Sequence, residues 1–260
     1  MKIGAAQMSP LWENKAHNMR VCRTLAEEAR ESGCELLVFP ELTLTGFSMN
    51  PSLAELPDGD SAEFFCGLSN ELGIAIAFGA AVSENGRVYN RLCIARNGSV
   101  IASYSKVHPF SYGGEDKLFS GGSSAEICEI NGVRFGLSIS YDLRFPELYR
   151  MLAERCDCII NIANWPQSRS AHWQALLKAR AIENQCFIIG CNRSGEGNGI
   201  AYSGDSAVYS PDGEQISCAK PFCEEIVYAE VSRAEAEKQR LSFPVTQDMR
   251  RDVYIEFYRS

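Results

Sequence analysis

The chain of 260 residues is 45% hydrophobic and carries a formal net charge of −8, enough apolar content to bury one large core. Its 25 Lys and Arg against 33 Asp and Glu are never gathered into a basic patch, which excludes a phosphate-backbone partner and leaves a small polar substrate. Eleven cysteines are scattered through apolar runs such as CDCIINIA and CFIIGC; with no signal-peptide core and no apolar stretch near the roughly 20 residues of a membrane span, they predict buried, reduced thiols and a cytoplasmic protein without membrane contact.

In chain order, KIGAAQM reads as a strand and residues 14–32 as an amphipathic helix. The apolar run ELLVFPE then ends at Glu41, and residues 61–73 read as a second helix. AIAFGAAV, RVYNRLCIAR and VIASYSK follow, broken by ENGR and by Asn97-Gly98, a dipeptide that tolerates positive φ at both positions. They predict a β-meander that ends at Lys106. Asn131-Gly132 turns AEICEI into VRFGLSIS, a hairpin whose second strand ends at Ser140. A further α/β alternation runs through residues 147–154, CDCIINIAN, residues 171–183 and CFIIGCNR, and Asp212-Gly213 turns DSAVYS back into EQISC. The Gly-rich GEGNG (residues 195–199) reads as a loop, since it lacks the spacing and following helix of a phosphate cradle. The tail, residues 241–260, carries Met249, Val253, Tyr254 and Phe257 among charges and is expected to pack on its own body or at a dimer interface. Two similar halves of this kind predict a single α/β domain over residues 1–260, a two-sheet sandwich with outer helices.

Glu41, Lys106 and Ser140 each close an apolar run. Ligands of open α/β sheets sit outside the carboxyl ends of strands, so an acid, an amine and a hydroxyl are expected to meet in one site. Ser140 is followed at once by YDLRFPELYR, which places its hydroxyl on a strand-to-helix turn that lifts a nucleophile clear of the sheet. Cys156-x-Cys158 has no second ligand pair at zinc-finger distance. Neither a metal nor an organic cofactor is expected.

FPELTLTGF (residues 39–47), YSKVHPF (104–110), ISYDLRFPEL (139–148) and NWPQSR (164–169) resemble, in order, the motifs of the nitrilase or carbon–nitrogen hydrolase superfamily. ARAIENQCFIIGCNR (179–193) and the compact length further resemble its ω-amidase branch, which hydrolyses small monoamides of dicarboxylic acids. The resemblance implies a four-layer α-β-β-α sandwich, a homodimer or higher oligomer, and a Glu–Lys–Cys triad acting through a thioester on a substrate such as 2-oxoglutaramate. On that reading Glu41 is base and then acid, Lys106 and the Tyr141 amide hold the oxyanion, and Glu115 holds Lys106 and the substrate. The family's cysteine belongs where this chain has Ser140. The retained acid–amine set favours a nucleophile exchanged in a working enzyme, with little turnover left in the serine form.

Phe47, Met49, Phe110, Tyr112 and Trp165 lie close in sequence to these residues and are expected to line a narrow pocket. Arg169 and Arg144 are both candidates to pair with a substrate carboxylate, with Arg144 favoured instead to tie down the turn through Glu147 or another acid. Two other readings stay open. One is a serine hydrolase using Ser140, with His172 or His108 as base and Asp142 as orienter. The other is a catalytically dead binding or scaffold protein.

Overall fold

The structure, a computed structural model, describes residues 1–259. Its first half runs β1 (Lys2–Gln7), α1 (Lys15–Glu31), β2 (Leu36–Val38), α2 (Asp60–Leu72), β3 (Ala75–Glu84), β4 (Arg87–Arg96) and β5 (Ser99–Ser105). The second half runs β6 (Ile127–Ile130), β7 (Val133–Ile139), α3 (Pro146–Ala153), β8 (Cys158–Ala163), α4 (Ser170–Asn184), β9 (Phe187–Asn192), β10 (Ser194–Gly197), β11 (Ile200–Ser203), β12 (Ala207–Tyr209) and β13 (Gln215–Cys218). Then β14 (Glu225–Glu230), α5 (Arg233–Ser242) and α6 (Arg251–Arg259) follow.

Local chemistry sets the boundaries. Asn14 caps α1 by accepting from the His17 amide at 3.0 Å, satisfying one of the orphan donors of a helix start. Gly73 ends α2 in the left-handed region at φ 66°, where a side chain would be strained.

The strands form two six-stranded sheets, ordered β14-β1-β2-β3-β4-β5 and β13-β12-β9-β8-β7-β6. In each, three central strands are parallel, β1-β2-β3 and β7-β8-β9, and the flanking pairs are antiparallel. Parallel centres need apolar cover on both faces, and alternate side chains supply it. Leu36, Val38, Leu92 and Ile94 meet Leu137, Ile139, Ile160 and Ile189 between the sheets. On the outer face of the first sheet Leu37, Ile76 and Phe78 pack under Cys22 and Ala26 of α1 and Phe65 of α2. Ile159 and Ile188 do the same under Tyr149 of α3 and Trp173 and Leu177 of α4. The result is one α-β-β-α sandwich with its main core between the sheets.

Three expectations are corrected. GEGNG is not a loop: β10 and β11 pair as a hairpin across Gly197 and Ile200, turning at Asn198 and Gly199, which both have positive φ. The thiols are all free, but Cys218 and Cys223 are exposed, because β13 is an edge strand and residue 223 lies in a surface loop. ELLVFPE is mostly not strand; β2 spans three residues, and Glu41 lies in the turn beyond it. The tail does pack on its own body. The Phe243 carbonyl accepts from Gln185 Nε2 at 2.6 Å, and Arg251 of α6 pairs with Glu154 at 2.7 Å. Among the described residues, no helix is long and apolar enough to cross a membrane.

Candidate active site

Lys106 continues the inward register of β5, in which Ala102 and Tyr104 face the opposite sheet. Its ammonium therefore arrives fully buried. It lies 2.9 Å from Glu41 Oε1 and 2.8 Å from Glu115 Oε2. Glu115 reaches it because residues 107–114 fold back through a left-handed Gly114 (φ 78°). The cluster holds two carboxylates against one ammonium, so its excess negative charge must be met by neutral donors. Each carboxylate accepts from Lys106, from the amide of Asn90 (2.7 and 2.8 Å), and from a main-chain N–H. That N–H belongs to Asn164 for Glu41 (2.8 Å) and to Phe110 for Glu115 (2.6 Å). Burial pushes the pKa of Lys106 down and the two glutamates push it up; the net direction is up, so the ammonium keeps its proton.

Backbone packing sets the position of Glu41. Leu42 is left-handed at φ 47°, and the loop is stitched to β3 by Thr43 N to Gly79 O at 2.9 Å and Gly79 N to Thr43 Oγ1 at 3.0 Å. A Cβ on Gly79 would fall within 2.9 Å of Glu41 Cα and closer still to the Leu42 amide. Only glycine lets the acid approach the sheet this closely.

Ser140 leaves β7 with φ 45°, a strained conformation for a non-glycine residue and one that clusters at functional sites. It opens a 3₁₀ turn, Ser140–Arg144. Asp142 holds that turn to the Lys106 segment: its carboxylate accepts from Ile139 N (2.9 Å), Tyr104 Oη (2.8 Å) and His108 N (3.1 Å). His108 Nδ1 lies 2.8 Å from the same carboxylate, and its ring stacks on Phe145 at 3.7 Å. The aspartate and histidine of the serine-hydrolase reading are thus paired, but His108 lies outside the cavity that Ser140 lines. His172 is exposed beside Arg144. Among the described residues neither imidazole bonds Ser140 Oγ.

Ser140 opens onto a cavity of about 200 Å³ lined by Phe47, Met49, Phe110, Tyr141, Asn164, Trp165 and Arg169, with Trp12, Gly197, Ile200 and Tyr202 completing the wall. Asn164 links this cavity to Glu41, and Phe47 links it to Lys106, whose Nζ lies 5.5 Å from the ring centroid. Tyr112 does not belong to it. That side chain is 87% exposed, because the turn at Ser111–Gly113 carries it outward and leaves Gly113 at the wall. Arg144 does not make the favoured tie to Glu147. It lines the cavity, stacked 4.6 Å over Trp165, while Glu147 accepts instead from Tyr258 of α6. Burial and the nearby Arg169 both lower the pKa of Arg144, and among the described residues neither arginine has a carboxylate partner. Two cations face one small cavity with no anion between them.

Sequence reasoning missed Asn90, Asn164 and the β10–β11 hairpin. Asn164 follows the carboxyl end of β8 just as Glu41 follows β2 and Ser140 follows β7, so strand-end position was its signal. Asn90 had another. It shares the inward register of Leu92 and Ile94, and an amide in an apolar register marks a polar layer inside the sandwich.

The sequence pattern of the Carbon-nitrogen hydrolase family matches residues 2–241. The chain is 35% identical over 249 residues to the omega-amidase YafV of Escherichia coli, covering 95% of this chain and 96% of that one. It is 37% identical over 234 residues to the 2-oxoglutaramate amidase of Bacillus subtilis, covering 87% and 89%. A solved CN-hydrolase superfamily protein from Xanthomonas campestris, described with an arsenic adduct in its active site, superposes with a TM-score of 0.89 at 33% identity, over 96% of this chain and 97% of that one. Sequence pattern, relatives and sandwich architecture agree over nearly the whole length, and the chain belongs to the carbon–nitrogen hydrolase family, within the nitrilase superfamily.

Proposed function

We propose that this protein is an amidase that cleaves the C–N bond of a small linear ω-amide bearing a carboxylate at its far end, with 2-oxoglutaramate as the probe, through an acyl group carried on residue 140. One observation carries the reading: a buried carboxylate–ammonium cluster stands beside a cavity that holds a strained candidate nucleophile and two arginines without acid partners. The names of the omega-amidase and 2-oxoglutaramate amidase relatives support the substrate class.

With a thiol at position 140, Glu41 takes the proton as sulfur attacks the amide carbon. The carbonyl electron pair moves onto oxygen. Two of the three Lys106 N–H bonds go to carboxylates, which leaves one for this oxyanion, beside the Tyr141 amide. The proton on Glu41 then passes to nitrogen, the C–N bond breaks, and ammonia leaves a thioester behind. Glu41 next takes a proton from water as it attacks the thioester; the C–S bond breaks, sulfur regains that proton from Glu41, and the carboxylic acid is freed. Ser140 offers a hydroxyl to the same machinery, a much weaker acid than a thiol, so the serine form binds and turns over slowly.

The test is ammonia release from 2-oxoglutaramate by the Ser140→Cys protein. In that protein Arg169→Met should raise KM for the carboxylated amide by roughly 10- to 100-fold, the loss of one charge-assisted hydrogen bond pair, and leave KM for an uncharged amide such as propionamide nearly unchanged. Equal changes for both would remove the carboxylate assignment. Pairing of two copies is part of the same reading, since Leu241, Phe243 and Ile255 of the tail are exposed. A sedimentation mass near one chain, 28.7 kDa, would exclude it.

A further inference from the structure

We propose that Asn90 is a positioning residue of this site: its amide nitrogen holds Glu41 and Glu115 at the separation that keeps the Lys106 ammonium between them. Asn90 lies on β4, almost fully buried, in the register that faces the second sheet. Leu92 and Ile94 occupy the next two positions of that register, so an apolar side chain fits the fold there and an amide costs desolvation. The side-chain oxygen has no hydrogen-bond partner among the described residues. What the residue supplies is therefore its donors.

Those donors are shared evenly. Nδ2 lies 2.7 Å from Glu41 Oε1 and 2.8 Å from Glu115 Oε1. Ionised carboxylates only accept, so the group between them must donate twice, and a neutral primary amide does so from one nitrogen. A hydroxyl offers one proton and a carboxylate none, whereas a second ammonium would cancel the excess negative charge that makes Glu41 a base. The Asn90 main-chain oxygen also accepts from Lys106 N at 2.9 Å. The Asn90 side chain thus grips both glutamates, and its main chain anchors the Lys106 backbone, without altering the net charge of the cluster. Without it, two like charges share one ammonium and turn their free oxygens apart.

The kinetic arm of the test rests on the amidase reading; the alkylation arm does not. In the Ser140→Cys protein, Asn90→Asp and Asn90→Ser are compared by kcat and KM for 2-oxoglutaramate, by the pH profile of iodoacetamide alkylation at position 140 read by peptide mass spectrometry, and by melting temperature. Asn90→Asp adds a third carboxylate. It should lower kcat about 100-fold with KM within about threefold, and move the acid limb of the alkylation profile up by about one pH unit, because like charge disfavours each ionised form. Asn90→Ser keeps neutrality and one donor. It should lose about tenfold in kcat and keep the parental limb. A folded Asn90→Asp protein with parental kcat and profile overturns the proposal, as do losses in both variants that simply follow melting temperature. Should the Ser140→Cys parent release no ammonia from any amide, the amidase reading falls, and the alkylation profile still decides the role of Asn90.

Discussion

Replacing Ser140 with cysteine is expected to raise kcat for 2-oxoglutaramate by on the order of 10³-fold or more. A cysteine thiol ionises near pH ~8.5, within reach of a carboxylate acting as base during attack. A hydroxyl lies far above the reach of such a base. Nothing else in the site needs to change: Glu41, Lys106 and Glu115 are already assembled and buried, and the turn already holds position 140 at a strained positive φ. The substitution exchanges one atom in a preorganised site, so the gain should fall in kcat with KM nearly constant. Ammonia release by both forms under identical conditions measures it. Equal inactivity of the cysteine form across carboxylated and uncharged amides would end the amidase reading.

Lys106→Met is expected to be the most damaging single substitution, costing about 3–5 kcal/mol of stability in either form and at least roughly 10²-fold in kcat of the cysteine form. The stability cost arises because Glu41 and Glu115 are wholly buried and lose the only cation between them. The pH dependence has a definite sign. An ammonium whose pKa is raised on folding contributes stability that is fully present below its unfolded value, near ~10.4, and is lost as pH rises through the folded one. Lys106 is shifted upward, against its own burial and by its two glutamates, so its contribution should be constant across neutral pH. Urea unfolding of both proteins across neutral pH checks the claim. A midpoint unchanged by the substitution would mean that the cluster is not the buried ion triad described.

Most of the sandwich is legible along the chain because strands covered on both faces read as short apolar runs bounded by turn residues. RVYNRLCIAR matches β4 residue for residue, and the Asn97-Gly98, Asn131-Gly132 and Asp212-Gly213 turns fall at strand junctions, where φ is positive at Asn97, Gly98, Asn131, Gly132 and Gly213. The method weakens where an element is held by partners rather than by pattern. β2 spans only three residues because the chain must turn at once to present Glu41. The β10–β11 hairpin is too rich in glycine to show alternation, yet its backbone and Tyr202 form a wall of the cavity. Such a segment owes its order to cross-strand pairing and to Arg193, which donates to the Glu196 carbonyl and stacks over Tyr202 at 4.5 Å.

The side chains divide in the same way. That Glu41, Lys106 and Ser140 stand just beyond apolar runs is a property of order along the chain. Which of their neighbours share the site is not, because proximity in sequence is a poor guide once a turn rotates a side chain. Phe110 faces the cavity while Tyr112, two residues on, faces solvent. Arg144 stacks over Trp165, while Glu147 accepts from Tyr258, more than a hundred positions away. By itself the sequence determines the layers, most of the turns and the place of Glu41, Lys106 and Ser140 just beyond apolar runs, since each is a local consequence of apolar burial and backbone freedom. Only the tertiary structure decides that Asn90 lies between Glu41 and Glu115 and that Arg144 stands beside Arg169, because those contacts join segments brought together solely by the closing of two sheets on one core.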